Sequence, residues 1–138
     1  MKTADYLKTH HIKPSVQRIA IMDYLKEHKT HPTADEIFNS LSPSMPTLSK
    51  TTVYNTLKLF TEKGAALCIN IEEKNARFDG DVSLHAHFIC LACGCIRDIF
   101  EHCTNAVKTE NINDLTITET HLYYKGYCKK CKEKNINP

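Results

Sequence analysis

From the N-terminus, apolar positions recur at helical spacing to about residue 64 and at strand spacing beyond it. Leu7 anchors a short first helix. Val16, Ile19, Ala20, Met22 and Leu25 mark one face of a second, expected from about Val16 to His28. In HPTADEIFNSL, Thr33 precedes Glu36 by three positions and follows Pro32. That is capping-box spacing, so a third helix should run to about Ser42. The Pro-rich stretch PSMPTL breaks the chain. SKTTVYNTLKLFTEKG then supplies a fourth helix, with Ser49 as N-cap and Gly64 just past its end. Val53, Leu57 and Phe60 form its inward stripe. Lys50, Thr51, Thr52, Asn55 and Lys58 lie opposite, with Tyr54 beside them.

The segments AALCINI and ARFDG flank the polar tip IEEKN and read as a hairpin. HFICLAC, CIRDIF and LTITETHLYYKGYC read as further strands, with EHCTNAVKTEN as a short helix between them. A boundary is expected at GDVSL, residues 80–84, giving domains 1–81 and 84–138 in an α+β chain. Helices followed by a two-stranded wing form the winged helix-turn-helix plan, in which the last helix enters the major groove of DNA. Small polar residues and lysines also suit any solvated helix, so this face alone does not decide between the two.

Composition narrows the classes. With 138 residues, 41% hydrophobic and 25% charged, the chain has an ordinary globular balance for one domain or two small ones. No apolar run approaches the roughly 18 residues that span a bilayer. MKTADYLKTHH lacks the apolar core of an export signal. A soluble cytoplasmic protein is expected. Residues 1–64 hold nine Lys/Arg against six Asp/Glu, net +3, and residues 65–138 hold nine against ten, net −1. The first half is mildly basic, which permits nucleic-acid binding without requiring it.

The chain has seven cysteines, an odd number that excludes a complete disulfide set. Cys90-Leu-Ala-Cys93 and Cys128-Lys-Lys-Cys131 are paired CxxC knuckles separated by 34 residues. Four thiolates at these spacings suit tetrahedral Zn²⁺, which would staple the C-terminal strands. A thiol redox motif is the alternative, but such a motif usually stands alone. Cys68, Cys95 and Cys103 lie outside the pairs, Cys68 at an apolar strand position. Just before the first knuckle comes His85-Ala-His87. Residues two apart on a strand share a face, so both imidazoles can reach one ion. His31, Asp79 and Asp98 are further candidate ligands. Imidazoles and carboxylates suit Fe²⁺, Mn²⁺ or Zn²⁺ and leave the thiolates to zinc. The spacing itself argues only for His85 and His87; an HxH pair is also common on surfaces.

Gln17-Arg18 with the following helix, HPTADEI, TTVYNTLKLF with Gly64, RFD at 77–79, HAHFIC, IRDI and the CxxC pairs occur in this order over residues 6 to 131. In this combination the chain resembles the ferric uptake regulator family of metal-dependent bacterial repressors. The resemblance implies an N-terminal winged helix-turn-helix domain followed by a small α/β dimerisation domain stapled by a four-cysteine zinc site, in a homodimer. It assigns structural zinc to Cys90, Cys93, Cys128 and Cys131, and a regulatory Fe²⁺ or Mn²⁺ site to His31, Asp79, His85, His87 and Asp98. It implies contacts to an inverted-repeat operator in double-stranded DNA by Tyr54 and its neighbours. Arg18, Lys50 and Lys58 are candidates for phosphate; Thr51, Thr52, Tyr54 and Asn55 are candidates for base edges.

Asp98 in place of the family's more usual Glu, Ala86 between the histidines, and VYN at 53–55 resemble the peroxide-sensing PerR branch. Val16 departs from the Pro usual at its position, and Cys95 next to Gly94 is unusual and could add a thiol oxidation route. The expectation is a repressor, not an enzyme, that senses peroxide through iron-catalysed oxidation of His31 or His85. Its rivals are a sensor of iron or another metal in the same family, a metal-dependent hydrolase, and a zinc-ribbon interaction module.

Overall fold

The structure, a computed structural model, describes residues 1–69, 76–83, 85–100, 111–117 and 120–134. The chain divides into two compact units, Met1–Val82 and Ser83–Pro138.

The first unit opens with helices α1 (Thr3–Thr9), α2 (Val16–Glu27), α3 (Ala34–Leu41) and α4 (Lys50–Glu62). The antiparallel hairpin β1 (Leu67–Ile69) and β2 (Arg77–Asp79) follows, with Cys68 opposite Phe78. Three helices start on a hydroxyl that satisfies an otherwise orphan backbone donor. Ser15 Oγ accepts from Arg18 N–H at 3.1 Å, Thr33 Oγ1 from Glu36 N–H at 3.2 Å, and Ser49 Oγ from Thr52 N–H at 3.0 Å. Gly64, at φ +74°, turns the chain out of α4, and Ala65 N–H returns to Phe60 O at 2.8 Å.

Leu7, Ile21, Met22, Leu25, Ile37, Val53, Leu57 and Phe60 pack into one core. The stripe expected on α2 is shifted. Val16 is 78% exposed and Ile21 is fully buried in its stead. The cap at Ser15 makes Val16 the first helical residue, and the inward face begins a turn later. Helices followed by a hairpin wing match the expected winged-helix plan. The wing tip, residues 70–75, lies outside the described residues.

In the second unit, β3 (Ala86–Cys90) is the middle strand of a three-stranded sheet in the order β4-β3-β7. Strand β4 (Ile96–Ile99) runs antiparallel to it and β7 (Tyr123–Gly126) parallel. A small separate hairpin, β5 (Asn111–Ile112) and β6 (Leu115–Thr116), turns at Asn113 and Asp114, whose φ values are 47° and 65°. Asn and Asp tolerate this left-handed region, and NINDLT is a hairpin signal of that kind. Among its described residues, the stretch LTITETHLYYKGYC, expected as strand throughout, holds two short strands. Its end, Cys128, is instead the N-cap of a last helix, α5 (Lys129–Glu133). Of the helix expected over EHCTNAVKTEN, residues 101–110 lie outside the described residues, and Asn111 opens β5.

The core of the first unit makes a quantitative expectation. Phe60→Ala should lower its stability by roughly 3–5 kcal/mol, whereas loss of the exposed cap in Ser49→Ala should cost about 1 kcal/mol. Urea denaturation followed by helical circular dichroism reads both. A Phe60 variant no weaker than the cap variant would overturn this account of the core.

Candidate metal centres

Strand β3 carries donors toward both of its ends. At its start, His85 Nδ1–H donates to Ser83 O at 2.6 Å. A carbonyl only accepts, so this bond fixes the proton on Nδ1 and turns the lone pair of Nε2 inward. His85 Nε2 lies 3.1 Å from His87 Nε2, and Asp98 Oδ1 lies 3.3 Å and 3.4 Å from the two nitrogens. Asp98 reaches them because it stands directly opposite His87 in the β3–β4 register. His85 and His87 are buried, and the Phe100 ring stacks on His85 with centroids 4.9 Å apart. Two imidazole nitrogens and a carboxylate oxygen thus converge in a sheltered place. Such an N/O set fits a divalent first-row ion.

The first unit holds a second, smaller donor pair. His31 Nε2 lies 3.6 Å from Asp79 Oδ2, both side chains at most 3% exposed. Asp79 Oδ1 accepts from Asp81 N–H at 2.9 Å. His31 sits at φ 59°, a left-handed conformation that costs a non-glycine residue energy. The wing strand holds it there. Arg77 Nη1 donates to His31 O at 3.1 Å, and Phe78 N–H donates to Pro32 O at 3.0 Å.

At the far end of β3 lies the sulfur site. Cys90, Cys93, Cys128 and Cys131 each bring a sulfur within 4.8 Å of the others. Cys93 Sγ and Cys128 Sγ are 3.8 Å apart. Backbone N–H groups of Cys93 and Cys128 donate to Cys90 Sγ at 3.5 Å and 3.4 Å. These two bonds pull the Cys90 thiol down to about 5. The backbone N–H of Cys131 likewise lowers Cys128. Burial, reinforced by the neighbouring sulfurs, pushes Cys131 up to about 12. Backbone donors thus favour negative charge on Cys90 and Cys128, while burial opposes it on Cys131. A divalent cation relieves that conflict, and the four sulfurs suit Zn²⁺. Lys129, Lys130 and Lys132 of α5 add positive charge nearby.

Helix α4 presents the third candidate surface. Lys50, Thr51, Tyr54, Asn55 and Lys58 are exposed and Thr52 half-buried. A cavity of about 510 Å³ brings Thr52 and Asn55 together with Arg18, and adds Lys13 and Gln17, which the helix pattern alone did not single out. Arg18 Nη1 donates to Lys13 O at 2.8 Å. Tyr54 OH donates to Asp35 Oδ1 at 3.2 Å, which holds the phenol above its ordinary pKa, and Lys50 Nζ lies 3.9 Å from the same oxygen. Sequence reading passed over Asp35 and Arg77; RFD was noted as a motif, but nothing in spacing assigns Arg77 a backbone to hold.

Residues 9–125 match the Ferric uptake regulator family. The chain is 36% identical over 125 residues to the peroxide-responsive repressor PerR of Staphylococcus epidermidis, covering 89% of this chain and 83% of that protein. The ferric uptake regulator from Pseudomonas aeruginosa with manganese has a similar fold, with TM-score 0.74 at 20% identity, covering 94% of this chain and 99% of that one. PerR from Streptococcus pyogenes, whose structure concerns peroxide sensing and gene regulation, has TM-score 0.51 at 27% identity, covering 92% and 88%.

Loss of one sulfur should disable the four-sulfur site. Cys131→Ser is expected to lose tightly held zinc and with it the strand signal of the second unit, while the helices of Met1–Val82 persist. Elemental analysis and circular dichroism check this. Wild-type zinc content in that variant would remove Cys131 from the site.

Proposed function

The chain belongs to the ferric uptake regulator family, and on that premise we propose that it is a metal-dependent, DNA-binding transcriptional repressor that responds to peroxide. The family is one of transcriptional regulators. The observation that carries the reading is the convergence of His85, His87 and Asp98 within 3.4 Å in a buried place, in a chain 36% identical to a peroxide-responsive repressor.

The proposed regulatory site takes its ligands from both units: His31 and Asp79 from the first, His85, His87 and Asp98 from the second. Two donors from the first unit and three from the second each fall short of the six positions that Fe²⁺ or Mn²⁺ prefers, so either set alone leaves the ion incompletely coordinated. An ion that needs both sets favours whichever arrangement of the units supplies them, by its differential affinity. In a homodimer that arrangement would hold two copies of α4 at the spacing of successive major-groove faces, suited to an inverted-repeat operator. The four cysteines are read as a structural Zn²⁺ site. No described helix is long and apolar enough to cross a membrane, and a cytoplasmic location accords with a repressor's work.

Bound Fe²⁺ would supply the electron that activates peroxide. The protein's part is to hold an imidazole beside it as the group that is oxidised. An imidazole that gains oxygen at its ring loses the proton-and-lone-pair pattern that His85 sets through Ser83, so it no longer binds as before. His31 and His85 are the residues that the family resemblance points to. On α4, Lys50 and Lys58 suit phosphate contacts. Thr51, Thr52, Tyr54 and Asn55 suit base edges, and Arg18 closes the same groove. Tyr54 must exchange its bond to Asp35 for one to DNA.

Three outcomes follow from this reading. Fe²⁺-loaded protein given a low dose of H₂O₂ should gain one oxygen on peptides holding His31 or His85, and Mn²⁺-loaded protein should not. Peptide mass analysis reads this; no histidine oxidation, with DNA binding kept, would move the assignment to a metal-status regulator. His31→Ala should abolish metal-stimulated operator binding while zinc content and dimer mass stay unchanged. Unaltered operator affinity would end the two-unit clamp. Lys58→Ala should weaken all DNA sequences alike and reduce the salt slope by about 1; a changed sequence preference would show that Lys58 reads bases.

A further inference from the structure

A fifth sulfur stands beside the four-sulfur cluster, and neither metal site uses it. Cys95 follows Cys93 across a single residue, Gly94, at φ +77°. Cys90 N–H donates to Cys95 O at 3.0 Å and closes the turn. The half-buried Cys95 side chain packs against Cys90, Cys128 and Cys131, and its sulfur contacts those of Cys93 and Cys128. Of the four clustered cysteines, Cys90, Cys128 and Cys131 are buried and Cys93 is exposed. A tetrahedral site takes four ligands. Five thiols around it leave one nucleophile over, in contact with the sulfur of Cys93, the one exposed residue among the four. A disulfide needs a Cα separation of about 4.4–6.8 Å, residues two apart can never lie more than about 7 Å apart, and Gly94 adds no side chain to hinder closure.

We propose that Cys93 and Cys95 form a peroxide-driven disulfide switch on the four-sulfur site. The switch rests on reading those four sulfurs as a metal site, and it acts through chemistry separate from histidine oxidation. Cys93, as thiolate, attacks one peroxide oxygen. An S–O bond forms, the O–O bond breaks, and hydroxide leaves, so Cys93 becomes a sulfenic acid. The Cys95 thiol then attacks the Cys93 sulfur. An S–S bond forms, the S–O bond breaks, and the departing hydroxyl takes the Cys95 proton to leave as water. One thiolate, one thiol and one peroxide thus give one disulfide, one water and one hydroxide. The two sulfurs lose two electrons and the peroxide gains them. The site keeps Cys90, Cys128 and Cys131 but loses its fourth ligand, and the link between the β3 end and α5 weakens.

The test uses full-length protein containing zinc and loaded with Mn²⁺, so that iron-dependent histidine oxidation is silent. Wild-type protein and the Cys95→Ser and Cys95→Ala variants receive the same H₂O₂ dose. Zinc release is followed with a chromogenic chelator, and disulfides are mapped by non-reducing peptide mass analysis. Wild-type protein should lose two hydrogens within the peptide holding Cys93 and Cys95 and release zinc in parallel. Both variants should release zinc several-fold more slowly. Equal release rates, or a wild-type disulfide map without Cys95, would overturn the switch. If the purified protein holds no zinc, the reading of the four sulfurs fails on its own. The wild-type peptide map still decides whether the disulfide forms, and it depends on no variant folding.

Discussion

Strand β3 is hydrogen-bonded along both edges, and its two registers hold both chemistries of the second unit. On one side the antiparallel register sets His87 against Asp98, which brings the carboxylate to the imidazoles. On the other, the parallel register sets Cys90 against Gly126, two residues before Cys128, which brings the second CxxC to the first. A slip of one residue in either pairing would turn every side chain of that strand to the opposite face. The N/O donors and the sulfur donors would then be lost separately, one set for each edge. The sulfur cluster and the β3–β7 pairing therefore support each other. An ion held by the four sulfurs would fix the end of the parallel pair, which is the pairing with the longer and entropically dearer connection.

The first unit depends on β2 in a comparable way. Within three residues, that strand grips the His31 carbonyl through Arg77, pairs with the backbone of Pro32 through Phe78, and supplies Asp79 to the His31 ring. The left-handed backbone at His31 is thereby held from both sides, and Pro32 just after it leads into the Thr33 cap of α3. Arg77 also lies 3.9 Å from Glu36 of that helix, and Asp35 beside Glu36 meets Tyr54 and Lys50 of α4. The candidate ligand His31 and the candidate DNA-facing helix are thus neighbours of one short helix end.

Legibility in the sequence followed the range of the interactions. Caps and stripes are local, so Ser49, Thr33, Gly64 and the Val53-Leu57-Phe60 face were readable from the chain alone. The HxH and CxxC pairs were readable for the same reason: two residues on one strand or turn share a direction whatever the rest of the chain does. His31 and Asp79 gave no such signal, because 47 intervening residues separate them and only the hairpin brings them together. They entered through resemblance. Where the structure departs from the pattern, a local signal outweighs periodicity. Ser15 makes Val16 the first helical residue, which frees it from the inward face. Asn113 and Asp114 tolerate the left-handed backbone of a hairpin turn. Four of the six residues after Cys128 are lysines, which suit a solvated helix better than the end of a strand.

On the proposed reading, the separation of sulfur from nitrogen and oxygen donors divides the work between a staple and a sensor. Four thiolates saturate a tetrahedral ion, and three of those cysteines are buried, so such a site has no position open to a reactant. Its vulnerability lies in its ligands, at the exposed Cys93. The histidine–carboxylate set in the second unit is the reverse: three donors leave an ion of higher coordination number unsatisfied. On the proposed reading that shortfall is what allows sensing. A complete site within one unit would hold its ion whatever the other unit did, and could bias nothing. An incomplete one binds well only in the arrangement that completes it, so the ion's affinity becomes the free energy that selects the DNA-competent state. The same incompleteness makes the state reversible by a small chemical change. Alteration of one imidazole removes a donor that the set has no spare to replace.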